Sequence, residues 1–246
     1  MTEKVNEKHT KINSTPPKKE YLICGIIGLI ALLYTIIFLF KFIFLNETYI
    51  VGKDVIWDND NVGRIYKMHT NEPITGTVES YFRDGTLQAK GYYKNGKANG
   101  TIKQYFPNGR LHSETKWING QMHGTQKTYY ENGQLEAEVY TQNGIQQGLH
   151  REYHRNGKLK LEMNWIDGKV EGYAPSYYEN GQLEWEFNFK NGKKNGPAKL
   201  YYESGELRGS GNYVDDELDG AQTMYYKNGQ LQNVEHYRNG LKIPTW

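Results

Sequence analysis

Cysteine is almost absent: Cys24 is the single one among 246 residues. No intramolecular disulfide can form. An exported domain without disulfides is compatible with a bacterial source, although cysteine scarcity alone does not identify a compartment. Excess charge is lacking too. Thirty Lys and Arg against 28 Asp and Glu leave a net charge of +2. Residues 1–41 hold six Lys and three Glu, and the remainder, with 24 basic and 25 acidic residues, is close to neutral. An evenly mixed surface has no basic stripe of the kind that nucleic-acid binding requires, so no nucleic-acid partner is expected. Also missing are a phosphate-cradling glycine loop, a nucleophile elbow and a Cys/His metal pattern. The reading is therefore no enzyme, no cofactor, no metal site and no small-molecule substrate.

Long apolar runs are scarce as well, with one exception at residues 21–45, YLICGIIGLIALLYTIIFLFKFIFL. Leu22 to Phe40 is 19 residues without a charge, close to the ~20 that span a bilayer as a helix. A buried core helix would show a polar stripe, and a cleaved signal would have a shorter apolar region with small residues after it. This run has neither, so a single transmembrane helix over 21–45 is expected. Lys4, Lys8, Lys11, Lys18 and Lys19 precede it, whereas Lys41 and Lys53 alone follow closely. That bias places the N-terminus in the cytoplasm and the rest on the outer side, a single-pass arrangement suited to a bacterial inner membrane. Residues 1–20, polar and carrying Pro16-Pro17, read as a disordered tail.

What is abundant is repetition. YFRDGTL begins at Tyr81, YFPNGRL at Tyr105, YYENGQL at Tyr129 and Tyr177, YHRNGKL at Tyr153, YYESGEL at Tyr201 and YYKNGQL at Tyr225. Consecutive copies start 24 residues apart, and counting from the glycines gives seven units, from Gly76 to Ile243, without insertion or deletion. A fixed period in this range marks an array of supersecondary units. Each unit carries two Asx-Gly-like pairs, such as Asn132-Gly133 and Asn143-Gly144. Both residue types tolerate the positive φ of a type I′ hairpin turn, so the chain reverses about every 12 residues. Between turns the residues alternate: Leu183, Trp185, Phe187 and Phe189 on one face, Glu184 and Glu186 on the other. Period-two alternation means strands with one apolar and one polar face. The expected fold is all-β, an elongated single-layer antiparallel meander of 24-residue hairpins over 76–243. Fourteen strands about 4.8 Å apart would extend roughly 65 Å. Residues 46–75 read as a linker and degenerate capping unit, and Pro244 in the terminal 244–246 as a block on further pairing.

The elements Trp117-Ile118-Asn119-Gly120-Gln121-Met122-His123-Gly124 and Trp165-Ile166-Asp167-Gly168-Lys169-Val170-Glu171-Gly172 resemble MORN repeats, aromatic-x-x-Gly-x-x-x-Gly. The YYENGQL element resembles the bacterial MORN variant of the YwqK-type antitoxin family. Thr141 in place of the aromatic in unit three, and Asp216 in place of glycine in unit six, depart from the pattern. The resemblance implies a protein-binding module, the antitoxin or immunity component of a toxin–antitoxin pair, with a toxin as its protein partner. The alternative is a membrane or cell-envelope scaffold without a toxin partner.

Candidate chemistry is thin. His150 and His154 in HREYH are spaced for a strand, where four residues span ~13 Å, too far for both rings to reach one zinc. Glu136, Glu138, Glu184 and Glu186 suit a solvated polar face, since an open sheet has no deep pocket to perturb them. The aromatics remain: 21 Tyr, 8 Phe and 5 Trp. Trp117, Trp165, Trp185, Phe187 and Phe189 lie in phase with the leucines. They are either the sheet's own packing or a partner-binding groove centred on units four and five.

Overall fold

A computed structural model describes residues 48–57, 64–70 and 72–244. The tail at 1–20 and the expected membrane helix at 21–45 lie outside the described residues, as do 245 and 246. Among the described residues no helix is long and apolar enough to cross a membrane.

Every unit is a hairpin. Its lead strand runs Gly76–Tyr81, Gly100–Tyr105, Gly124–Tyr129, Ile145–Tyr153, Gly172–Tyr177, Gly196–Tyr201 and Gly220–Tyr225 in units one to seven. The return strands are Leu87–Lys94, Leu111–Ile118, Leu135–Gln142, Leu159–Ile166, Leu183–Lys190, Leu207–Val214 and Leu231–Arg238. The return strands of units one to six also pair antiparallel with the lead strand of the next unit, for example Lys90 with Lys103 and Glu186 with Lys199. The result is one continuous sheet. It is mixed rather than purely antiparallel, because Thr48–Ile50 runs parallel along Gly76–Tyr81.

The two glycine turns of a unit differ, contrary to the expectation of type I′ throughout. At the second, Asn95 and Gly96 both have left-handed φ, 50° and 75°, between paired Lys94 and Lys97, which is type I′. At the first, only Gly85 is left-handed, with φ 86°. There Phe82 N donates to Thr86 O at 2.8 Å and Gly85 N to Phe82 O at 3.0 Å, a type I turn closed by a left-handed glycine. The preceding Asp or Asn keeps ordinary φ because its Oδ1 accepts the N–H two residues on, as in Asn156 with Lys158 N at 3.0 Å. Asp215 and Asp216 adopt φ 51° and 76°, so unit six keeps the type I′ geometry without its glycine. Lys194 N donates to Asp216 Oδ1 at 2.8 Å and ties that turn to the unit before.

Complete burial of large side chains is confined to one end. Val55, Ile65 and Ile74 have no exposure and cluster with Tyr49, Val78, Tyr93 and Ala98. Val55–Trp57 and Ile65–Lys67 form a separate two-stranded sheet there. Pro244 follows the last strand, Leu241–Ile243, which covers His236–Arg238 only. Among the described residues no strand pairs with the outer edge of Leu231–Glu235.

Candidate protein-docking face

The leucines do not share the aromatics' face as the alternation predicts. In every hairpin one extra residue follows the leucine, so Leu183 pairs with Tyr177 while Trp185 pairs with Ser176, on the other side. Beyond that shift the register puts the last residue of the aromatic row opposite the unit's glycine. The pairs are Trp117 with Gly100, Trp165 with Gly148, Phe189 with Gly172 and Tyr213 with Gly196. Small residues continue the pattern around unit five. Phe187 faces Ala174 and Trp185 faces Ser176. Ala174, Ser176 and the nearby Ala198 are buried, whereas the rings themselves stay half-buried. Two stiff layers of side chain cannot share one face of a pleat, so small neighbours let the large rings lie across the strands.

The rings then meet one another. Trp185 and Phe187 are 5.0 Å apart by centroids, Phe187 and Phe189 6.4 Å, and Phe187 and Tyr213 5.8 Å edge-on. Lys194 Nζ sits 4.2 Å from the Phe187 centroid and 5.3 Å from that of Tyr213, within cation–π range. Tyr213 and Lys194 were not singled out from sequence. The signal for Tyr213 was present, since it occupies the aromatic position of unit six; Lys194 is legible only once the turns are stacked.

Trp165 lies one unit away on the same face, about two strand spacings or ~10 Å from Phe189. Trp117 is not brought to this group. It packs on the N-terminal cluster with Val51 and Ile102, two units from Trp165. The indole N–H groups of Trp117 and Trp165 are buried without a hydrogen-bond partner. Between these tryptophans the same face turns polar, with Gln126, Thr128, Thr141, His150 and Glu152. His150 Nδ1 is 3.3 Å from Gln146 Nε2 and its Nε2 3.6 Å from Glu152. Burial holds its pKa below the ordinary 6.5, against the pull of Glu152.

His154 has a different job. In three units the second aromatic of the pair donates its hydroxyl to a carbonyl 23 residues on: Tyr130 to Tyr153 O at 2.7 Å, Tyr178 to Tyr201 O and Tyr202 to Tyr225 O at 2.9 Å. His154 Nε2 meets Tyr177 O at 2.7 Å and stands in for that hydroxyl. The two histidines serve separate contacts. Among the described residues no group of three His, Cys, Asp or Glu is placed to hold a metal.

The opposite face is a charge ladder. The register runs Glu79, Lys90, Lys103, Glu114, Lys127, Glu138, Arg151 and Glu162 across successive strands, alternating in sign save at Lys90 and Lys103. Arg151 bridges Glu162 at 2.7 Å and Glu138 at 3.5 Å, and Lys199 meets Glu186 at 3.2 Å. Exposed pairs like these contribute at most about 1 kcal/mol each, so they select register more than they add stability. Burial raises the pKa of Glu186, but hydroxyls of Tyr173 and Tyr201, both at 2.7 Å, and Lys199 outweigh it and hold the carboxyl below its ordinary value. Most charges of the ladder pair within this face.

Residues 74–95, 98–119, 122–143, 146–167, 170–191, 194–215 and 218–239 match the family model described as MORN repeat variant. The seven matches cover 154 of 246 residues, in step with the hairpins. The chain belongs to the MORN repeat variant family. A comparison with curated proteins found no match. MORN repeat proteins are in general binding or scaffold modules rather than enzymes. In this MORN array the glycine opposite each aromatic, and the paired Asx-Gly turns, are the hairpin geometry itself.

Proposed function

We propose that the chain is a membrane-anchored protein-binding module whose MORN repeats hold a protein partner on the aromatic face of units four to six. Residues 21–45 would be the anchor, with the repeats on the outer side. The partner would seat on Trp165, Trp185, Phe187 and Phe189, joined by Tyr213 and Lys194. One observation carries this reading. The rings of Trp185, Phe187, Phe189 and Tyr213 form one half-buried cluster on a single-layer sheet, with a cation at its rim. Clustered aromatics with partial exposure are the side chains from which interface hot spots are made. Trp117, packed on the N-terminal cluster, belongs to the fold in this reading.

The finer proposal is that the partner is a toxin and the chain its antitoxin or immunity component, supported by the resemblance of the YYENGQL units to the YwqK-type family. The test is co-expression with any toxin-like product encoded beside the gene. Wild-type chain should relieve growth inhibition, and Trp185→Ala should not, although it melts within a few degrees of wild type. Units one and three carry Ala89 and Ala137 at that position, so the repeat accepts alanine there. Equal rescue by both proteins would remove the docking face. Absence of any inhibitory neighbour would favour the scaffold. Extraction of the intact protein by carbonate would remove the anchor.

A further inference from the structure

Trp185 pairs with Ser176 across its own hairpin and with Leu200 of the next unit. Ala89 stands at the same register position in unit one, opposite Ser80 and Gln104. With Trp185 opposite it, Ser176 is buried; Ser80 is only half-buried, and an open cavity of about 520 Å³ lies beside it. Ala89 and Ser80 line this cavity together with Phe82 and Phe106, from the first turns of units one and two. In every later unit the position of these two rings is Tyr or His, so phenylalanine occurs there only where the cavity lies. The His112 ring packs on Phe106 with centroids 4.5 Å apart. Val51, whose N–H donates to Glu79 O at 3.0 Å, lines the side away from unit two.

We propose that this cavity binds a flat, uncharged aromatic ring of indole size. The repeat itself supplies the measure: the same register position carries an indole in unit five, and Ala89 opposite Ser80 leaves that volume unfilled. The chemistry of the lining agrees. Its walls are aromatic, and it holds no carboxylate, ammonium or guanidinium group. A charged ligand would lose its hydration there without gaining a counter-ion. A cavity of about 520 Å³ falls in the ~300–1,000 Å³ range of small-ligand sites and leaves room for the atoms that carry the ring. Polar contacts are few. Ser80 Oγ and the Gln88 amide can accept an indole N–H. Ser113 Oγ donates to Gln104 Oε1 at 2.9 Å, which leaves the Gln104 amide hydrogens to donate to a carbonyl beside the ring. Unit three also carries an alanine at this position, but Ala137 faces Thr128 and Glu152, a carboxylate that an apolar ring would desolvate.

The full-length chain in detergent, titrated by calorimetry with indole and with N-acetyl-tryptophanamide, tests this. The expected result is saturable binding that weakens about tenfold or more in Ala89→Trp, which fills the cavity from its floor. Ala89→Leu repeats the test with a smaller side chain. The repeat accepts both replacements, since units four and five carry Leu161 and Trp185 at that position. Ala137→Trp in unit three should bind like wild type, and uptake of the ring by the micelles is common to all four proteins. Tighter binding of N-acetyl-tryptophanamide assigns a ring borne on a peptide, and tighter binding of indole a free small molecule; either supports the site. Absence of saturable binding by both compounds overturns the inference. So does binding that both Ala89 variants leave unchanged. None of these variants alters the docking face of units four to six, which Trp185→Ala tests separately.

Discussion

Asn156 shows why asparagine, and not aspartate, recurs in the first turn. Its Oδ1 caps its own turn through Lys158 N, and its Nδ2 donates to Glu179 O of the next unit at 2.9 Å. Asn132 to Arg155 O and Asn180 to Glu203 O repeat the stitch. Asn156→Asp should keep the cap but lose the stitch and oppose a carboxylate to a carbonyl, costing about 1 kcal/mol, or some 2–4 °C in a melt. Asn228→Asp should melt like wild type, because Asn228 Nδ2 stays within its own turn on Gln230 Oε1. Glu186 makes the pH argument at the same scale. Its pKa is depressed in the fold below the ordinary 4.5, so its contribution is present above that value and is lost as pH falls through the depressed one. Tyr201, pushed up to about 12 by burial and then by Glu186, contributes below its ordinary 10.0 and loses that as pH rises toward 12. Neither group changes melting temperature between these limits. There half-buried His150, held below 6.5, adds its own loss as pH falls under that value. Glu186→Gln should flatten the limb below 4.5. An unchanged acid limb would mean the carboxyl is solvated.

At the scale of the element, the unit is the hairpin and the junction is what holds it. Backbone pairing, the tyrosine hydroxyl and the asparagine amide all reach the adjacent unit and no further. Removing residues 124–147 should therefore leave a folded, shorter array by circular dichroism. The charge ladder survives the cut, because Glu114, which now faces Lys127, would face Arg151 instead. A wholly unfolded product would show that stability is not nearest-neighbour in kind.

At the scale of the whole described sheet, stability is graded from one end to the other. Ile74 is fully buried, so Ile74→Ala should cost ~2–5 kcal/mol, and Leu183→Ala, half-buried mid-array, less. Hydrogen exchange should be slowest in unit one and fastest in the return strand of unit seven, which is exposed over most of its length. Uniform protection would mean that the array opens as a single unit.

The period and the hairpins were determined by sequence alone, because strand alternation and positive-φ turns are local properties written once per 12 residues. The face of the leucines was not, because the extra residue after each one, such as Glu184 between Leu183 and Trp185, turns the leucine to the opposite side. Local spacing did not separate the two turn types. Asn-Gly reads the same in both, and what differs is where the asparagine side chain goes. Nor did it show that Trp185, Phe187, Phe189, Tyr213 and Lys194 converge while Trp117 goes to the core. Beyond the register shift the alternating positions share a face, but which of them touch depends on the strands between, small at Ala174 and Ala198 and polar at Gln126 and Thr128. The parallel first strand and the buried N-terminal cluster were likewise decided only in three dimensions. Residues 48–75 carry no copy of the repeat's own marks, so their partners follow from packing against units one and two rather than from any period.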